Sequence, residues 1–479
     1  FGHPYPDLDD RFRLPIFYTL RFAIVIMKYI VPILFAGNFL FSTDSPLQFF
    51  PQFSSHYFSS GSIHHSKKTG FVSLLNFGIG ASKQTGGLTI NGLFQFTSAK
   101  NLDINSTFLN PDLNLEHQRD YFSNEMTWFE SSMLNIQYDL KDMVLSFGKF
   151  NRHWGAGRSN LILSNNVPSF PQAGFTWQMA KNLSLEYFSG LLASQIEDTT
   201  NSNYNNDAGQ RKVYTQRSIT GHRLIWKISP TLSFSAMETV IFGNRSIDFH
   251  YLLPFIPFWS MQRYVGDTDN IQMSAEILWE KTENFQLFGA LFVDEWRPEW
   301  TFKDKNRNWI GYQVGLIGSN IVKEKDQVRL EYTWTDHRVY RHRFNINDSY
   351  SYDYSLGFWA GPHADELFLA YNCQFKGIDM TTSFSYLKRG ELTEYMLMGQ
   401  YDNINYERFS GNTESRNVAS IEGTKGIFNN MVLIRVGCDW IDWTNPGFNP
   451  YSPNRVSGKD FSKFSLNIGL TAKTTFSLD

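Results

Sequence analysis

Along most of the chain apolar and polar side chains alternate with a period of two, and helical periodicity is scarce. Val328, Leu330, Tyr332 and Trp334 fall on one face of an extended segment, with Arg329, Glu331 and Thr333 on the other. Met380, Thr382, Phe384 and Tyr386 oppose Thr381, Ser383 and Ser385 in the same way, and Leu466, Ile468, Leu470 and Ala472 oppose Ser465, Asn467, Gly469 and Thr471. Such runs come in pairs across short polar turns. Gly70–Ser82 pairs with Leu88–Ser98, Leu134–Leu140 with Met143–Phe150, Phe175–Ala180 with Leu183–Ser194, and Thr215–Ile228 with Leu232–Phe242. Ile271–Trp279 pairs with Phe285–Val293, Trp309–Ile321 with Val328–Arg338, and Glu366–Phe375 with Met380–Leu387; Met431–Trp440 and Phe464–Phe476 come last. That makes about sixteen strands, with Tyr395–Tyr401 as a further candidate.

The connections are lopsided. Turns of about two to six residues alternate with long segments: Ala99–Glu125, Arg152–Ala173, Glu197–Tyr214, Gly243–Asp269, Asp294–Asn308, Val339–Leu356, Asp402–Asn430 and Ile441–Phe461. Short turns on one rim and long loops on the other characterise an outer-membrane barrel. Arg and Glu in mid-strand are cheap in a wet lumen and costly toward lipid. The pattern therefore predicts an all-β transmembrane antiparallel barrel of about 16–18 strands, its long extracellular loops folded over or into the lumen. A soluble propeller would show a recurring motif every 40–50 residues or so, and none is present.

Composition agrees. Of the 479 residues, 43 are Phe, 23 Tyr and 13 Trp, yet the mean hydropathy is only −0.33. Aromatic girdles combined with polar inward faces produce that mixture. A net charge of −3 gives no electrostatic reason to expect nucleic acid. Cys373 and Cys438 both lie inside strand-like runs and read as small wall residues, with a disulfide in an oxidising compartment as the alternative; no Cys/His cluster suggests zinc, and no cofactor is expected.

Near the N-terminus an apolar run, Ile16–Phe41, is interrupted by Arg21 and Lys28. It reads either as a membrane-spanning helix or, from Met27-Lys28-Tyr29 onward, as a start codon, basic region and short apolar core of an export signal. The preferred division is 1–26 as upstream extension, 27–42 as signal peptide, 43–68 as a periplasmic segment that includes His64-His65 and Lys67-Lys68, and 69–479 as barrel.

One stretch stands apart. Leu145–Phe175 (LSFGKFNRHWGAGRSNLILSNNVPSFPQAGF) begins as a strand and breaks at Trp154-Gly155-Ala156-Gly157. It then carries Arg158, Asn160, Asn165 and Asn166 past Pro168 and Pro171. Trp154-Gly155-x-Gly157, followed by Leu161-Ile162-Leu163-Ser164-Asn165-Asn166 and the two prolines, resembles the signature of the capsule assembly protein Wzi family. The segment Gly221–Trp296 resembles it more loosely, and the chain departs from the family in reading Trp-Gly-Ala-Gly rather than Trp-Gly-Pro-Gly. The resemblance implies an outer-membrane barrel of Gram-negative bacteria acting as a non-catalytic surface lectin that attaches or organises capsular or extracellular polysaccharide. The partners it implies are that polysaccharide, the surrounding lipid and lipopolysaccharide, and the barrel-insertion machinery. A monomer is expected.

Sugar sites combine flat aromatic faces with amides, carboxylates or Arg for the hydroxyls. Trp154, Arg158, Asn160, Asn165 and Asn166 supply these types; alternatively, they belong to a folded-in loop whose amides satisfy their own backbone. A second cluster has Phe255, Phe258, Trp259 and Tyr264 ahead of Asp267, Asp269 and Asn270. Those three either bond hydroxyls, chelate a cation, or form an Asx turn before the next strand. Trp296, in Asp294-Glu295-Trp296-Arg297-Pro298, is either a third contact or a girdle residue. His337–Arg343 forms a basic patch at a strand exit. Two further functions compete with the lectin. One is a porin, distinguished by an open lumen where a lectin has folded-in aromatic loops such as Leu252–Tyr264. The other is a lipid-modifying enzyme built on Ser218 and His222, for which no nucleophile spacing is present.

Overall fold

In a computed structural model the chain forms a closed antiparallel barrel of 18 strands. The structure describes residues 45–59, 71–101, 117–123, 126–202, 212–245, 248–297, 299, 308–352, 354–392, 396, 408–409, 411–445 and 459–478. The readings made for 1–42, for His64-His65, Lys67-Lys68 and for Tyr395–Tyr401 (save Met396) lie outside these.

The wall runs in chain order through Leu47–Phe58, Val72–Thr85, Leu88–Lys100, Met126–Leu140, Met143–Phe150, Phe170–Ala180, Leu183–Glu197, Tyr214–Ser229 and Leu232–Gly243. It continues through Asn270–Thr282, Phe285–Glu295, Trp309–Ser319, Gln327–Thr335, Ala364–Phe375, Ile378–Gly390, Thr413–Ile427, Val432–Thr444 and Phe461–Lys473. Each strand pairs with the next, and the first pairs with the last, Ser55 opposite Leu470. Two short strands extend the wall. His117–Ser123 pairs with the upper end of Met126–Leu140, and Phe476–Leu478 pairs with Leu47–Phe49 beyond a break in the closing strand. That break falls opposite Phe50 and Pro51, where proline offers the ladder no N–H.

The faces are inverted relative to a soluble protein. In Gln327–Thr335, Leu330 is 41% exposed while Glu331 is 4% exposed. Thr333 and Thr335, on the same face as Glu331, are also buried. Apolar side chains thus point out to lipid and polar ones point into the barrel. All short turns lie on one rim, which is the periplasmic one, and the long loops on the other.

Two of the predicted long loops, Arg152–Ala173 and Val339–Leu356, dive into the lumen as a plug. Trp154, Leu161, Ile162, Leu163 and Val167 from one, and Tyr340, Tyr350 and Leu356 from the other, with Phe358 and Trp359 just after it, form a single apolar core. That core packs against inward-facing Phe188, Ile219, Met237, Phe292, Trp309 and Leu387 from strands around the barrel. The two loops are joined to each other: Ser164 N donates to Leu356 O (2.7 Å) and Tyr340 Oη to Leu161 O (2.6 Å). From the wall, the Arg217 guanidinium reaches three plug carbonyls, Asn345 O, Ile346 O and Tyr350 O, at 2.6–2.8 Å.

The structure corrects the sequence reading in three places. Leu47–Phe58, within the stretch expected to be periplasmic, is a barrel strand. Thr413–Ile427, within the expected loop Asp402–Asn430, is another; of its outward positions, Ser415, Asn417, Ala419 and Gly423 are small or polar and Ile421 alone among these five is large and apolar, so the alternation is faint. The aromatic segment Leu252–Tyr264, expected to fold into the lumen, lies on the outside of the barrel.

Candidate functional site

The plug tip is set by a backbone that only glycine tolerates. Gly155 has φ +126°, and a Cβ there would stand 2.7 Å from the Asn160 and Glu276 oxygens. The turn is closed by Asn160, whose Oδ1 accepts from Gly157 N (2.9 Å). Its Nδ2 lies 2.8 Å from the His153 ring. Lumen carboxylates then hold the tip: Glu276 accepts Ala156 N–H at 2.9 Å, and Glu331 accepts Arg158 N–H on both oxygens at 3.0 and 3.1 Å. The Arg158 guanidinium pairs with Glu366, which also accepts from Trp359 Nε1 and Ser385 Oγ. Above the turn Trp154, 2% exposed, lies edge-on to Phe188 at 5.3 Å. It rests on Gly221, where a Cβ would come within 2.9 Å of the indole.

Of the residues in the Trp154–Asn166 segment, therefore, Trp154 and Asn160 are buried, and Asn166 donates to Ser159 Oγ at 2.5 Å. Arg158 is part-buried in its ion pair and Asn165 is exposed. Trp154 presents no face on which a sugar ring could stack.

The outer rim holds a different constellation, drawn from three loops. Asp267, in the left-handed region at φ +57°, meets Arg343 through both its carbonyl and its carboxylate, the latter at 3.7 Å. Glu295 feels the charges of Asp267, Arg297 and Arg343, and pairs with Arg297 at 3.3 Å. Beside these charges stand two open aromatic faces, Trp296 at 57% exposure and Phe344 at 46%, the latter with the Arg343 guanidinium 5.3 Å from its ring centre. Three motifs that looked separate in the sequence thus converge on one exposed surface. Arg343 was legible only as part of a basic patch and Phe344 not at all, because the pairing that brings residue 343 to residue 267 is set by the plug.

Asn270 and Asp269 support this surface from below. Asn270 Nδ2 donates to Asn347 O (2.9 Å), and Asn347 Nδ2 returns a bond to Thr268 O (2.8 Å). The Asp269 carboxylate takes Tyr251 Oη at 2.6 Å and the Arg245 guanidinium. It faces a different cation from Asp267, so the two carboxylates do not converge on a shared ion. Burial pushes Asp348, in the same loop, up to about 6, opposed by Arg341. Burial also pushes His342 down to about 4, helped by neighbouring Arg343.

Trp259 stands elsewhere, on the outer wall, where it is exposed. Ser218 and His222 share that outward face four residues apart, about 13 Å along a strand. Ser218 Oγ donates to Arg245 O (2.7 Å), and His222 Nε2 meets Glu238 at 3.0 Å. They do not form a nucleophile–base pair.

A family profile described as "Capsule assembly protein Wzi" matches residues 114–447. No curated protein matches the chain. Among solved structures, OccAB2 of Acinetobacter baumannii is 11% identical, with a TM-score of 0.48, over 91% of this chain and 99% of that one. OpdK of Pseudomonas aeruginosa, solved with vanillate, is 9% identical, with a TM-score of 0.48, over 90% of this chain and 99% of that one.

Proposed function

The chain belongs to the capsule assembly protein Wzi family, and on that premise we propose that it is a surface lectin whose outer rim binds capsular or extracellular polysaccharide. The carrying observation is the rim surface itself: Trp296 and Phe344 offer open ring faces, and Asp267, Glu295, Arg297 and Arg343 surround them with acceptors and donors. This is the chemistry that sugar rings and their hydroxyls require. The two arginines also suit acidic sugar units. The buried residues of the Trp154–Asn166 segment take a supporting part, closing the lumen and fixing the loop that carries Arg343. The plug favours this reading over a solute channel, because an apolar core occupies the space through which a solute would pass.

Trp296→Ala and Arg343→Ala are expected to lower retention of polysaccharide on cells at normal surface levels. An aromatic contact contributes about 1 kcal/mol, roughly fivefold in affinity. Unchanged retention by both variants would remove the rim from the reading.

A further inference from the structure

The outer wall carries a polar patch where lipid is expected. Phe175, Tyr187, His222, Glu238 and Met273 are successive cross-strand neighbours on the outward face. That face also carries exposed Leu224, Trp226 and Ile277. A His–Glu pair there would be costly against hydrocarbon. The chain does not leave it bare. Residues 248–265 leave the outer rim, descend along the outside of the barrel, and return to it. Phe258 stacks on the His222 ring at 4.3 Å, and the N–H groups of Phe258 and Trp259 donate to the two Glu238 oxygens at 2.7 and 3.0 Å. Tyr187 Oη donates to Tyr251 O at 3.0 Å, and Tyr251 and Phe258 are buried against Val240, Phe242 and Ile271.

The descent is deep. Phe255 lies edge-on to Trp177 at 6.0 Å, and Trp177 stands four residues before the periplasmic turn Lys181-Asn182. Ser218, beside Phe242, and Leu224, beside Leu185 and hence level with Trp177, are six residues apart, about 20 Å of strand.

Irregular backbone at membrane depth is tolerated where it packs on protein that satisfies its polar groups, and much of this segment's backbone and composition follows that rule. From Phe249 to Gln262 it contains no Asp, Glu, Lys or Arg. Pro254 and Pro257 have no N–H to satisfy. Leu252 N, Ile256 N and Ser260 N bond carbonyls within the segment, Ser260 Oγ donates to Pro257 O, and Gln262 Nε2 to Asp269 O. The side turned away from the wall shows Leu253, Ile256, Phe255 at 63% exposure and Trp259 at 54%.

We propose that residues 248–265 are a membrane-embedded latch: a re-entrant segment outside the barrel whose exposed face is covered by the acyl chains of the surrounding bilayer, and whose inner face seals His222 and Glu238 from them. This reading is independent of the polysaccharide and concerns which surface of the molecule lipid touches.

The test uses the full chain in phosphatidylcholine vesicles, with Cys373 and Cys438 replaced by Ala and a nitroxide placed at Phe255→Cys. Leu291→Cys serves as the lipid-facing reference and Phe344→Cys as the aqueous one. The latch predicts that the label at 255 matches the one at 291, relaxed by oxygen and shielded from a water-soluble nickel chelate. A label relaxed by nickel as at 344 would overturn the proposal, and so would dipolar coupling between labels, which would make a second copy of the chain the occupant. Glu238→Ala is expected to shift the 255 label toward nickel while heat-modifiable barrel mobility is retained; an unchanged label would show that the wall carboxylate does not hold the segment.

Discussion

Several side chains that look like ligands in the sequence are committed to the fold, and their substitutions should read out as stability. Trp154 is the clearest. Its indole fills the junction of plug and wall over Gly221, so Trp154→Ala is expected to lower folding stability by about 3–5 kcal/mol, seen as an earlier transition on heating the detergent-solubilised chain. His363, buried just before the strand Ala364–Phe375, contributes a pH dependence of its own. Its Nε2 accepts Phe409 N–H at 3.2 Å, so the neutral ring carries its proton on Nδ1, bonded to Glu391 O at 2.9 Å. Burial pushes this histidine down to about 3, and His342 down to about 4, from an ordinary 6.5. A lowered histidine contributes stability that is complete above 6.5 and is lost as pH falls through its folded value. Asp348, raised to about 6 from 3.8, works in the opposite direction and returns stability as pH falls across that interval. The His363 contribution is therefore read by difference: His363→Gln should change the slope of the thermal midpoint between pH 6.5 and 3, gaining on the parent as pH falls. An equally steep profile would take the effect away from His363.

Among the elements, the plug and the latch show what alternation can and cannot reveal. The strand from Gln327 to Thr335 was legible because Leu330, Tyr332 and Trp334 face lipid while Glu331 and Thr333 face inward. Thr413–Ile427 was hidden because its outward residues near the rim are Ser415 and Asn417 rather than apolar. The same limit applies to loops. FHYLLPFIPFWSM is aromatic whether it enters a lumen or lies on a wall; the deciding partner, Glu238, is an outward residue that the alternation treats as an irregularity. For the plug, the contact to test is Glu331, which accepts the backbone N–H of Arg158 on both oxygens. Removing a buried acceptor leaves that donor unsatisfied. Glu331→Ala is therefore expected to loosen the Trp154–Arg158 tip and produce intermittent openings in planar-bilayer recordings that the parent chain lacks.

For the whole molecule, barrel and family were legible because each rests on local signals: the period of two, the uneven turns, and the Trp-Gly-x-Gly stretch. The rim surface was not, since Asp267, Trp296 and Arg343 are separated by dozens of residues and meet only after two loops have packed inside a closed wall. On the proposed reading the molecule combines a plugged interior, a lipid-facing exterior and a polar, aromatic outer rim that binds, so that its work lies on its surface rather than through its lumen. Single-channel recording of the purified parent chain in a planar bilayer at neutral pH tests that most directly. The account predicts a membrane without a stable pore; a large, steadily open conductance would contradict it and make the protein a channel.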